Sequence, residues 1–209
     1  MKLEDGLNEC GVVAILRGVS PDESIAVGQA LFDSGIRVVE VPLNSPAPFL
    51  SIAKLAKEFS GRMIVGAGTV LTVQDVNMLK SSGGEISVSP DCNEAVIRRA
   101  VEVGLVPLPG VFTPTEAFAA IRFGATHLKL FPAEAASPMV IKAWKAVLPR
   151  DVKIFAVGGI TPENMSEWLA AGARGFGIGS SIYKPGMSID AVREAASKLV
   201  LAWNVAKGK

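Results

Sequence analysis

The chain has 209 residues, 49% of them hydrophobic and 20% charged, enough to bury one core and short for two, so a single domain spanning 1–209 is expected. Twenty-one Lys and Arg against twenty Asp and Glu leave a formal charge of +1; no global field draws the protein to nucleic acid or an anionic membrane, and any affinity for an anion must be local. Cys10 and Cys92 are too few for a disulfide framework, and one histidine, His127, cannot build a multi-histidine metal centre.

The N-terminus carries Glu4, Asp5 and Glu9 ahead of its first apolar run, which is only Val12 to Leu16. Neither a signal peptide nor a membrane span fits that pattern, so a soluble protein of the reducing cytoplasm is expected. From there, short apolar or β-branched runs return every twenty-odd residues, separated by segments of helical period. They are 12–17, 38–43, 63–69, 85–90, 105–109, 127–131, 153–157 and 175–179. Strands this apolar, alternating with helices, make a parallel sheet covered on its outer face, and eight such units predict closure into a (β/α)8 barrel. An open doubly wound sheet is the alternative, but Gly66-Ala67-Gly68 lacks the third glycine and the acidic partner of a dinucleotide fingerprint.

Helix boundaries are written in the same punctuation. Ser20-Pro21-Asp22-Glu23 and Thr113-Pro114-Thr115-Glu116 each offer an N-cap hydroxyl, a proline at N1 and an acid at N3, and Ser137-Pro138 and Thr161-Pro162 repeat the first half of the signal. Gly35, Gly83, Gly104, Gly124 and Gly172 stand just ahead of the following strand, where helices should end in a left-handed residue.

Barrels of this kind work at the C-terminal ends of their strands. The sixth run reads His127-Leu128-Lys129-Leu130-Phe131; if the leucines face the helices, alternation turns His127, Lys129 and Phe131 inward. Burial disfavours an ammonium, and a lysine that is neutral part of the time is the nucleophile of Schiff-base chemistry. The bland alternative is a lysine that snorkels from the strand end to solvent. Glu40, between Val39 and Val41, reads as a general acid and base or as a structural partner of Arg17 or Lys129, and the two readings can coexist. Arg17 suits a carboxylate or phosphate clamp, or simply balances Glu40. Gly158-Gly159 and Gly179-Ser180 follow the seventh and eighth runs, where backbone N–H groups in barrels commonly take a phosphate. His127 is expected inside the barrel below Lys129. Tyr183, Trp144, Trp168 and Trp203 are expected to pack or to line an interface.

Five segments together carry a further resemblance: Ala14-Ile15-Leu16-Arg17-Gly18, Val39-Glu40-Val41-Pro42-Leu43-Asn44-Ser45-Pro46, Gly66-Ala67-Gly68-Thr69-Val70, Leu128-Lys129-Leu130-Phe131-Pro132-Ala133 and Phe155-Ala156-Val157-Gly158-Gly159. With them the chain closely resembles, nearly end to end, the 2-keto-3-deoxy-6-phosphogluconate and -galactonate aldolases. The resemblance implies a lyase of carbohydrate metabolism that needs no cofactor or metal, with Lys129 as the Schiff-base lysine and Glu40 as the general acid/base. It implies a substrate site lined by Arg17, Thr69, Gly158, Gly159 and Ser180, to which strand alternation adds an inward Val157 and the end of the eighth run adds Gly179, with a phosphorylated 2-keto-3-deoxy sugar acid as substrate, pyruvate as a product, and a homotrimer.

Within that family the galactonate branch is the nearer. The gluconate branch typically has Thr, Leu, Arg and Thr after the catalytic Glu-Val where this chain has Pro42-Leu43-Asn44-Ser45, and Thr where it has Val157. Asn44 therefore removes one carboxylate clamp. Two rivals differ in class. A phosphosugar isomerase or epimerase would use the same glycines without an inward lysine on the sixth strand, and a non-catalytic phosphosugar-binding protein would need neither Lys129 nor Glu40.

Overall fold

A computed structural model describes residues 1–208. Eight apolar chain segments form one parallel sheet rolled into a (β/α)8 barrel, with strands β1 (Val12–Ile15), β2 (Val38–Pro42), β3 (Ile64–Gly68), β4 (Ile86–Val88), β5 (Val106–Leu108), β6 (Gly110–Val111), β7 (His127–Leu130), β8 (Lys153–Val157) and β9 (Gly175–Ile178). The strand order is β5-β4-β3-β2-β1-β9-β8-β7-β6. The two edges of that list, β5 and β6, are halves of a single segment interrupted by Pro109, whose carbonyl accepts from Lys129 N–H at 2.9 Å. Proline cannot donate to a ladder, so the fifth segment pairs with β4 through its first half and with β7 through its second. That crossover closes the barrel.

Alternation along the strands sorts the side chains into two cores. Val12, Ala14, Val39, Val41, Val65, Ala67, Leu128, Leu130, Ile154, Ala156, Phe176 and Ile178 point outward to the helices, while Val13, Val38, Ile64, Ile86, Val88, Leu108, Phe155 and Val157 fill the barrel. Leu128 and Leu130 thus take the outer face, as expected, and Lys129 lies within the barrel wall's inner layer.

The helices are α1 (Leu3–Glu9), α2 (Ser24–Asp33), α3 (Pro48–Glu58), α4 (Val73–Ser81), α5 (Glu94–Glu102), α6 (Pro114–Arg122), α7 (Pro138–Lys145), α8 (Met165–Ala170) and α9 (Ile189–Ala206). Five of the helix-ending glycines have the left-handed φ the sequence demanded, from +74° at Gly104 to +106° at Gly124. The capping box at α6 is formed, Thr113 accepting from Glu116 N–H while Glu116 accepts from Thr113 N–H. Two starts differ from expectation. Glu23 reaches back to Ser20 N–H and Asn164 to Thr161 N–H, each closing a turn, and α2 and α8 begin only after those turns, at Ser24 and Met165.

Helix α1 was not foreseen. It closes the N-terminal end of the barrel, with Leu7 fully buried in the interior core. His127, at the bottom of β7, meets Glu4 of that helix at 2.9 Å and packs against Phe155, and Arg174 binds Glu4, the Leu7 carbonyl and Asn8. The one histidine is therefore part of a plug at the end away from the strand C-termini. Burial lowers its pKa against the pull of Glu4.

Candidate active site

Lys129 and Glu40 are both buried, 8% and 3% exposed, on inward positions of β7 and β2. Between them lies a cavity of about 10 Å³ lined by both and by Val13, Leu108, Phe155 and Val157, space for one water. They do not form a direct ion pair, yet each feels the other's charge. Burial pushes the Glu40 carboxyl up to about 7, against the opposing fields of Lys129 and Arg17. Burial likewise lowers the Lys129 ammonium, opposed by Glu40 and reinforced by Arg17. Both groups are thereby brought toward neutrality, the condition in which one can attack a carbonyl and the other can carry a proton.

Local sequence explains the placement. Gly68 faces Glu40, whose carboxylate fills the space that a Cβ at Gly68 would need. Any other residue there would drive the carboxylate from its seat. Glu40 Oε2 has no hydrogen-bond partner, and a buried acceptor left open is costly in a site with no use for it. Above Lys129, the Phe131 ring lies 4.4 Å from the Nζ, so the mouth-side face of the amine is shielded by an aromatic surface.

A second cavity, of about 780 Å³, opens toward the strand C-termini and is lined by Arg17, Phe131, Glu134, Val157, Gly158, Gly159, Gly179, Ser180, Tyr183 and Lys184, among others. It shares Ile15, Val157 and Gly177 with the small cavity, so Val157 stands at the junction between the lysine and the open end. The N–H groups of Gly158, Gly159, Gly179 and Ser180 have no backbone partner among the described residues. Four free donors at two adjacent strand ends are what an anion needs.

Arg17 lines this cavity, but its guanidinium donates to Asn44 Oδ1 at 2.5 Å, and Gly18 N–H donates to the buried Ser45 hydroxyl at 2.9 Å. The residues that follow Glu40-Val41 therefore hold the loop after β1. Thr69 lines neither cavity; it follows β3 with a left-handed φ of 58°, a conformation rare outside glycine. Tyr183 is core and cavity wall at once, being 2% exposed while lining the larger cavity. The three tryptophans are buried in the outer core. Glu134 and Lys184, absent from the sequence reading, both reach the larger cavity. Among the described residues no group of three His, Cys, Asp or Glu side chains converges to hold a metal ion.

A barrel with a buried, coupled lysine and carboxylate beneath an anion-suited mouth has the layout of a lyase working on carbonyl compounds. Comparison with known proteins specifies which. Residues 3–194 match the family described as aldolase, KDPG and KHG aldolase. A probable 2-dehydro-3-deoxy-6-phosphogalactonate aldolase of Rhizobium meliloti is 48% identical over 94% of this chain and 93% of its own length. The 2-dehydro-3-deoxy-6-phosphogalactonate aldolase of Escherichia coli is 45% identical over 93% and 95%. A solved structure described as native KDPGal superposes with a TM-score of 0.92 at 44% identity, covering 95% of this chain and 96% of that one. The chain belongs to the KDPG and KHG aldolase family, and it is a lyase.

Proposed function

We propose that this protein is a cytoplasmic Schiff-base aldolase that cleaves 2-dehydro-3-deoxy-6-phosphogalactonate to pyruvate and glyceraldehyde 3-phosphate. The observation that carries the reading is the buried Lys129, coupled to a Glu40 whose Oε2 is unpartnered and whose carboxyl is raised to about 7. Its substrate assignment leans on the relatives that share nearly half of its residues over almost its whole length. Pyruvate release measured with each C4 epimer of the substrate is the direct test.

Neutral Lys129 adds to the C2 carbonyl, and the carbinolamine loses water to give an iminium. Glu40, directly or through one water, supplies and removes the protons of those steps. It then takes the C4 hydroxyl proton; the C3–C4 bond breaks, its electron pair passes to the iminium nitrogen, and glyceraldehyde 3-phosphate leaves. Protonation of the resulting enamine at C3 and hydrolysis release pyruvate and regenerate Lys129. Arg17, held by Asn44, is the cation available to the keto-acid carboxylate. The phosphate is assigned to the N–H groups of Gly158, Gly159, Gly179 and Ser180.

Gly179 offers a clean test of that phosphate assignment. Its φ is not left-handed, and a Cβ there would meet only Ile15 Cβ, at 3.8 Å, so Gly179→Ala should fold normally while narrowing the mouth. Steady-state kinetics should show KM for the phosphorylated substrate rising about 10-fold, with pyruvate adduct formation unchanged. Gly159, at φ +67° and with Glu134 Cβ 2.9 Å from any Cβ, would be strained by the same change. Equal damage to both readouts in Gly179→Ala would place the anion elsewhere.

Val157 sets the expected stereochemistry. Its inward side chain stands at the junction of the cavities, near the seat assigned to the C4 hydroxyl, and it presents no hydrogen-bonding group. An apolar wall separates close isosteres by only about 10²-fold or less, so side activity on the gluconate epimer is expected. Val157→Thr should shift the ratio of kcat/KM values toward that epimer by about 1–2 kcal/mol, the scale of one buried hydrogen bond. Strict gluconate selectivity in the unmodified enzyme, or no shift on substitution, would contradict this assignment.

A homotrimer is proposed on the same footing. Leu71, Val73, Met78 and Val101 are each at least 40% exposed and lie on or beside α4 and α5, which pack against one another; such apolar surface favours association.

A further inference from the structure

We propose that Glu134 reads the aldehyde half of the substrate, accepting a hydrogen bond from the C5 hydroxyl, the one nearest the phosphate. The proposal rests on the aldolase reading above. Glu134 lies in a single 3-10 turn, Ala133–Ala135, which follows directly from the segment bearing Lys129 and Phe131. Its Oε2 and its Cβ press on the backbone of Gly158 and Gly159, filling the space where side chains at those positions would stand. The carboxylate therefore lies against the turn that would hold the phosphate, on the segment that follows the amine that would hold C2.

Its side chain is exposed and lines the larger cavity, so water satisfies the carboxylate until a ligand displaces it. A carboxylate is an acceptor only, so beside a phosphate seat the part of the substrate that it can bind is a hydroxyl and not the phosphate. A hydroxyl is the donor that the substrate carries there, one carbon from the phosphate ester. With Arg17 assigned to the keto-acid carboxylate, Lys184 is the remaining cation lining the same cavity, and its charge opposes the repulsion between Glu134 and the phosphate. Glu134 would thus make the enzyme selective for aldehydes with a hydroxyl next to the carbonyl, since bound substrate displaces the carboxylate's water and an analogue without the hydroxyl returns nothing in its place.

The test runs the reaction in the direction of synthesis, with pyruvate and either D-glyceraldehyde 3-phosphate or 3-oxopropyl phosphate, which has no such hydroxyl. In the unmodified enzyme kcat/KM should favour the hydroxylated aldehyde by about 10- to 100-fold, the range of one charge-assisted hydrogen bond. Glu134→Met keeps the bulk against Gly158 and Gly159 without the acceptors, and it should reduce that preference to within about 3-fold, chiefly by losing rate with D-glyceraldehyde 3-phosphate. Glu134→Gln, which retains one acceptor, should fall between. The borohydride-trapped pyruvate adduct should form normally in both variants, and its absence from the unmodified enzyme would refute the aldolase reading itself. An unmodified enzyme indifferent to the hydroxyl, or a Glu134→Met variant that loses both aldehydes in parallel, would overturn the proposal and leave Glu134 as a brace for the glycine turn.

Discussion

Borohydride reduction in the presence of pyruvate should attach a single three-carbon adduct to the protein, and peptide mass spectrometry should map it to Lys129. Lys142 and Lys145 lie on α7, outside the barrel and away from the small cavity that Lys129 shares with Glu40, so no buried acid/base serves them and they compete poorly for a keto acid. Lys129→Ala should show no adduct and lose roughly 10³-fold or more in kcat/KM, because every later step passes through the iminium. The variant should remain folded. Burial holds the Lys129 pKa below its ordinary 10.5, so the folded state binds fewer protons at this site than the unfolded chain. The resulting cost is present at neutral pH and fades only as pH rises toward 10.5. Removing the amine removes that cost, and Lys129→Met, which also preserves side-chain volume, should melt no lower than the unmodified protein at pH 7. An adduct on another lysine, or none, would remove the central claim.

The inward course of Lys129 was legible because a parallel strand has only two faces, and Leu128 and Leu130 claim the outer one. The same parity placed Val157 inside, Glu40 stood out as a carboxylate within an apolar run, and the glycines after β8 and β9 fell at the mouth because strand ends in a barrel share one rim. What escaped the sequence lies where there is no period to read. Glu134 and Lys184 are carried by short connections, and their approach to the cavity depends on how a 3-10 turn and the loop after β9 fold back. Helix α1 has little apolar surface of its own and is fixed by Glu4 bonding to His127 and Arg174, residues 123 and 170 positions away. The late starts of α2 and α8 have a local cause, in that Glu23 and Asn164 satisfy the preceding N–H groups by closing a turn first. Asn44 was legible only as the loss of an arginine; that it engages Arg17 could be seen only once β1 and β2 were side by side.

Glu40→Gln should lower kcat by roughly 10²–10⁴-fold with little change in pyruvate binding, because the amide keeps the shape and one acceptor but cannot exchange the proton of the C4 hydroxyl. Its pH dependence separates a proton carrier from a structural partner. With Glu40 raised from 4.5 to about 7, cleavage by the unmodified enzyme should rise with pH through an apparent value near 7 that belongs to the Glu40–Lys129 pair. That limb should disappear in Glu40→Gln. Stability should move the opposite way. The folded state holds the Glu40 proton more tightly than the unfolded chain, so the site costs nothing below pH 4.5, and its penalty grows as pH rises through 7. Glu40→Gln carries no such charge and should be the more stable protein at pH 8, by about 1–3 kcal/mol, with the difference gone near pH 4.5. A structural ion-pair role makes the reverse forecast, with kcat retained and stability lost at pH 8, where Glu40 would be ionised and its removal would strand Lys129. Thermal melts and single-turnover rates of the two proteins across that pH range therefore distinguish a carboxylate kept for its proton from one kept for its charge.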